Sequence, residues 1–150
     1  MDTDAQVSTL ETLATTLIDS INGYEEAARN TDNERLRDVF DENARNRRDI
    51  AANLRAEIRR MGGDPPSDGS FMGKIHQTWL DLKSAIAGHD EKAIVNSVEA
   101  GEDYLKEKFE SALDSDLSGE ARQVVERAYQ SVRSGHDEIS RIKHQMEPQD

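Results

Sequence analysis

Four side chains that could do chemistry interrupt otherwise apolar helical stripes: Glu25, Arg47, Glu102 and His136. Asn43 falls at the level of Glu102 and His136, and Glu99 lies one turn from Glu102. Three arrangements follow from these residue types. The first, and the preferred one, is a buried Arg47–Glu102 ion pair, further satisfied by His136 and Asn43, because an unpaired charge is costly to bury. The second is a single-metal site from Glu99, Glu102 and His136, joined by Glu25, since hard or borderline cations accept carboxylate and imidazole ligands. The third leaves these side chains facing solvent, stripe edges being uncertain by a residue or two.

A carboxylate-bridged dimetal centre in a helical bundle needs Glu-x-x-His on two helices. The residues three before His76, His89, His136 and His144 are Gly73, Ile86, Arg133 and Arg141. Neither motif is present, and Arg47 adds a cation where a metal would sit. The preferred expectation is no catalytic residue and no cofactor, with a transition metal as the alternative.

These side chains need helices to position them, and the apolar period supplies five. The first, 5–29, carries Val7, Leu10, Leu13, Leu17, Ile21, Tyr24 and Ala28 on one face. The second, 32–61, aligns Leu36, Phe40, Asn43, Arg47, Ile50, Leu54 and Ile58, with Thr31 or Asp32 as its cap and Gly62-Gly63 as its stop. A shorter one, 70–87, shows Phe71, Met72, Ile75, Trp79, Leu82 and Ile86, and Gly88 closes it. Asp90 caps the fourth, 91–114, and Ser118 the fifth, 119–146. Gly23, Gly101 and Gly135 sit inside helices beside the polar positions, and close helix packing against bulky neighbours such as Tyr24 and Tyr129 is their expected role.

Composition limits what else the chain can be. It has 150 residues, room for one domain, 1–150. With 31 acidic against 19 basic residues its net charge is −12, and the basic residues are interleaved with acids, which argues against nucleic acid. There is no cysteine, so thiolate metal sites and disulfides are excluded. No apolar run approaches a membrane span, and the acidic start Met1-Asp2-Thr3-Asp4 is unlike a signal peptide, so the expected location is cytoplasmic.

Short turns make helices one and two, and likewise the last two, antiparallel neighbours, while the long middle segment carries the chain from one end to the other. Hairpin, crossover, hairpin is the ferritin-like four-helix arrangement, an all-α fold. Gly23-Tyr24, Arg47, Leu54 and Gly62-Gly63, then Gly69-Ser70, Gly73, His76, Trp79, Gly101-Glu102 and His136, carry a resemblance over about Leu10 to Ile142. In this ordered set the chain resembles a bacterial family of small ferritin-like four-helix-bundle proteins known only as a domain of unknown function. The resemblance implies a fold and a bacterial origin, with no substrate or catalytic residue. The expected role is therefore binding or scaffolding without catalysis. The alternative is a degenerate metal-binding, metal-dependent oxidoreductase or iron-storage-like protein. The crossover helix is expected to dock on its own bundle, and neighbouring apolar surface to support a homodimer.

Overall fold

A computed structural model describes residues 2–67 and 81–146. Four long helices account for most of them: α1 (Thr3–Asn30), α2 (Glu34–Arg60), α3 (Glu91–Leu113) and α4 (Gly119–Met146). A further helical stretch, 81–87, precedes α3, and no strand occurs among the described residues. The expected crossover helix is thus seen only at its end. Gly69, Ser70, Phe71, Met72, Gly73, Lys74, Ile75, His76 and Trp79 lie outside the described residues.

Local chemistry sets the helix ends, in two places differently from expectation. Asn33, rather than Thr31 or Asp32, caps α2: its side-chain oxygen accepts from Leu36 N–H at 3.1 Å. Thr31 is drawn away, its hydroxyl donating to Glu91 Oε2 at 2.6 Å. Asp90 caps α3 as expected, accepting from Ala93 N–H at 3.2 Å. α2 stops where Gly62 takes a φ of +86°, with Gly63 N–H reaching back to the Ile58 carbonyl at 2.9 Å. The stretch 81–87 ends in the same hydrogen-bond pattern, but its left-handed residue is His89 (φ +52°), not Gly88. Arginines serve two other helix ends: Arg37 donates to the Ala28 and Thr31 carbonyls, and Arg122 to that of Leu113.

Two long-range bonds fix the direction of every helix. Thr31–Glu91 sets the start of α3 beside the α1–α2 turn, and Ser118 N–H donates to Gln6 Oε1 at 3.1 Å, setting the α3–α4 turn beside the start of α1. If α1 runs up, then α2 and α3 run down and α4 runs up. α1 packs on α2 and α3, and α4 packs on the same two helices. α2 and α3 face each other across the diagonal, with no close approach of their backbones.

The apolar stripes meet in two clusters. The lower contains Leu10, Leu13, Leu17, Leu54, Ile58, Phe109 and Val125. The upper contains Tyr24, Leu36, Phe40, Ile94, Val98 and Ile139. Burying a side chain of this size contributes about 1.5–3 kcal/mol, so each cluster holds its end of the four helices together. Leu82 and Ala85 are buried in the upper cluster, which docks the end of the crossover on its own bundle. At the lower end a Cβ on Gly63 would come within 2.6 Å of Val7, so glycine is needed for the chain leaving α2 to pass α1. Among the described residues no helix is long and apolar enough to cross a membrane.

Candidate functional site: a charged layer between two apolar cores

On each helix the two clusters leave a gap: after Ile21 on α1, Ala44 on α2, Val98 on α3 and Val132 on α4. Arg47 and Glu102 occupy this gap, with side chains 0% and 1% exposed. A Cα–Cβ bond tilts toward the N-terminus of its helix. Arg47 and Glu102 therefore lean upward on the descending α2 and α3, while Tyr24 leans downward on the ascending α1. The three converge. Arg47 Nη2 donates to Glu102 Oε2 at 2.7 Å and Oε1 at 2.9 Å, and Nη1 to the Ser131 carbonyl at 3.5 Å. The guanidinium carbon stands 5.9 Å from the Tyr24 ring centre, within cation–π range.

The layer is tightly closed on the α4 side. A Cβ added to Gly135 would meet Arg47 Nη2 at 2.6 Å. Close packing is thus the role of this glycine, as expected, but its bulky neighbour is Arg47 rather than a tyrosine. Gly23 differs, a Cβ there meeting only Leu82 at an ordinary 3.9 Å. Asn43 is buried one turn above Arg47. Its Nδ2, Arg47 Nε and the Tyr24 hydroxyl are buried without a hydrogen-bond partner among the described residues. Burial, and next the negative charge of Glu102, push the Tyr24 phenol well above its ordinary value and keep it protonated.

The remaining expected members of the site lie elsewhere. His136 reaches the right height but the wrong side of α4, because the adjacent Gly135 faces the core and one residue turns a helix by about 100°. Its Nε2 lies 2.6 Å from Asp103 Oδ1 and its Nδ1 3.4 Å from Asp137 Oδ1, at the outer α3–α4 edge. It contributes nothing to satisfying the Arg47–Glu102 pair. Glu99 accepts from Lys143 Nζ at 2.8 Å and Ser140 Oγ at 3.0 Å. Burial pushes its carboxyl up, but these two hydrogen bonds, with the charges of Lys143 and His136, hold it below the ordinary value. Glu25 is half-exposed and pairs with Arg48 at 3.4 Å on the outer α1–α2 surface.

The four suggested metal ligands therefore do not converge: Glu99 and His136 share the α3–α4 edge, Glu102 is in the core and Glu25 is on the α1–α2 surface. Both Glu102 oxygens are held by a guanidinium. Among the described residues no group of three or more His, Cys, Asp or Glu is placed to hold a metal ion. Of the expected polar cluster, the structure pairs Arg47 with Glu102, while Asn43 is buried one turn above Arg47 without a hydrogen bond to either. It adds Tyr24 and the Ser131 carbonyl, which the sequence reading had not placed there. Opposite lean of side chains on opposed helices is the signal that would have found Tyr24.

A family model described as Domain of unknown function (DUF2383) matches residues 5–115, more than half of the chain, and the chain belongs to that family. The match takes in Tyr24, Arg47 and Glu102 and ends just after α3. No curated protein matches the chain.

Proposed function

Starting from that family membership, we propose that the chain is a ferritin-like bundle of bacterial, cytoplasmic type that acts by binding or as a scaffold, without catalysis. The up-down-down-up order of the helices, with one crossover between two hairpins, supports the ferritin-like reading. The observation that carries the functional reading is the fully buried Arg47–Glu102 pair in the middle of the bundle, the place a metal centre of such a fold would use. A guanidinium there supplies fixed positive charge without redox or Lewis-acid chemistry. The alternative, a degenerate metal-dependent oxidoreductase or iron-storage-like protein built on Glu25, Glu99, Glu102 and His136, finds no convergent donor set among the described residues.

Elemental analysis of protein purified without chelators, before and after loading with iron, manganese and zinc, tests this reading alongside an iron-oxidation assay. The expected result is no stoichiometric metal and no oxidation above background. Stoichiometric metal or iron oxidation that is lost in Glu102→Ala would overturn it.

A further inference from the structure

We propose that the charged layer holds a buried water molecule, bound between Arg47 Nε, Asn43 Nδ2 and the Tyr24 hydroxyl. These three atoms are buried without a hydrogen-bond partner among the described residues. Tyr24, Asn43 and Arg47 are 3%, 2% and 0% exposed, so bulk solvent does not reach them. Buried polar groups of folded proteins are nearly always paired, with protein or with ordered water. The terminal nitrogens of Arg47 have protein acceptors, Glu102 for Nη2 and the Ser131 carbonyl for Nη1, but Nε has none.

The helices bring these atoms to one place. Nη1 and Nη2 of Arg47 reach across to α4 and α3, while Nε stays nearer α2, the helix that carries Asn43. Asn43 lies four residues before Arg47, and residues so spaced are neighbours on a helix face. The Arg47 side chain leans in that direction. Tyr24 approaches from α1, its ring centre 5.9 Å from the guanidinium carbon. The charge of Glu102 acts on the Tyr24 hydroxyl, which sets that oxygen in the same layer. Gly135 closes the α4 side against Arg47, so the water lies on the α1–α2 side of the guanidinium.

The donors select the ligand. Nε–H and Nδ2–H can only donate, which excludes a metal cation and calls for an acceptor. An anion would accept, but Glu102 already neutralises Arg47, so the anion's charge would stand uncompensated in the core. Water brings no charge. It accepts from Arg47 Nε and Asn43 Nδ2 together and donates to the Tyr24 oxygen. Three polar partners are the usual number for a buried water. Bound there, it ties α1 to α2 within one hairpin, as the Arg47–Glu102 pair ties one hairpin to the other. This site stands whether or not the chain binds a partner.

The test is oxygen-17 and deuteron magnetic relaxation dispersion on the full chain, which counts water molecules held longer than the protein takes to tumble. Asn43→Leu combined with Tyr24→Phe should lose one such water relative to the unaltered chain. Asn46→Leu, the same change at an exposed position of α2, should lose none. Circular dichroism confirms that the variants stay folded. A crystal structure of the unaltered chain, soaked in bromide, gives a second reading that needs no variant. A water within hydrogen-bond distance of at least two of the three atoms is expected. An unchanged count in the double variant, an equal loss in Asn46→Leu, a bromide ion at the site, or direct pairing of the three atoms with protein groups would each overturn the proposal.

Discussion

Arg47 and Glu102 meet across the diagonal of the bundle, 2.7 Å apart, on two helices whose backbones do not closely approach. Each hairpin contributes one charge, so the pair can form only when α1–α2 and α3–α4 are assembled at one height. The pair sits where the lower apolar cluster gives way to the upper. A slip of one turn between the hairpins would leave two opposite charges buried against hydrocarbon. Such uncompensated charges cost far more than the pair returns, so the layer acts as a register key.

Gly135 and Gly23 should respond oppositely to alanine. Each substitution gains about 0.5–1 kcal/mol of helix propensity. At Gly135 the added Cβ would press on Arg47 Nη2, and overpacking of a closed core costs about 1–3 kcal/mol. At Gly23 it meets only ordinary contact with Leu82. Urea denaturation should therefore show Gly135→Ala with a lower midpoint and Gly23→Ala with an equal or higher one. Equal effects at the two sites would contradict the packing described at Gly135.

The cap of α2 can be tested in the same way. Asn33→Ala should cost about 0.5–2 kcal/mol, the usual value of an N-cap side chain. Asp32→Ala should change little, because only the Asp32 backbone N–H is engaged, by Glu91. A reversed order of the two losses would return the cap to Asp32.

Glu99 gives a prediction in acid. Its folded pKa is depressed, so its contribution to stability is complete above the ordinary carboxylate value of 4.5 and is lost as pH falls through the folded value. Lys143→Met should move the Glu99 titration upward toward that ordinary value, as followed by carboxyl NMR, and should make the bundle unfold at a higher pH during acidification. An unchanged Glu99 titration would show that Lys143 is not its main support.

Tyr24 behaves with the opposite sign. Its folded pKa is raised, so its contribution is complete below 10.0, the ordinary phenol value, and is lost as pH rises beyond it. In an alkaline titration followed by near-ultraviolet absorbance, one tyrosine should ionise only with unfolding. Tyr24→Phe should abolish that phase and raise the pH at which the bundle unfolds. A Tyr24 that titrates freely in the folded chain would place it outside the charged layer.

Much of this was readable in the residues because helices declare themselves by period. Leu10, Leu13, Leu17 and Ile21 repeat at three- and four-residue steps, and observed helix bounds follow such stripes closely. Arg47 and Glu102 were visible as charges within stripes, and burial forces such charges to find each other. Azimuth was less legible. Gly135 and His136 are neighbours in sequence but face opposite surroundings, and only the packed neighbour, Arg47, decides which one turns inward. The α2 cap was missed for a similar reason. Thr31 is a good capping residue by type, but Glu91, sixty residues away, engages its hydroxyl and leaves the cap to Asn33.

The most direct measurement of the central claim is a double-mutant cycle on Arg47 and Glu102, read from urea denaturation midpoints. Arg47→Met alone and Glu102→Leu alone should each destabilise the bundle by about 3–5 kcal/mol, because each strands a buried partner charge. The combined variant should recover much of that loss, since apolar side chains of similar volume then join the two apolar clusters. A single variant with an unmoved midpoint, or a combined variant as unstable as the two losses added together, would contradict the ion-paired core.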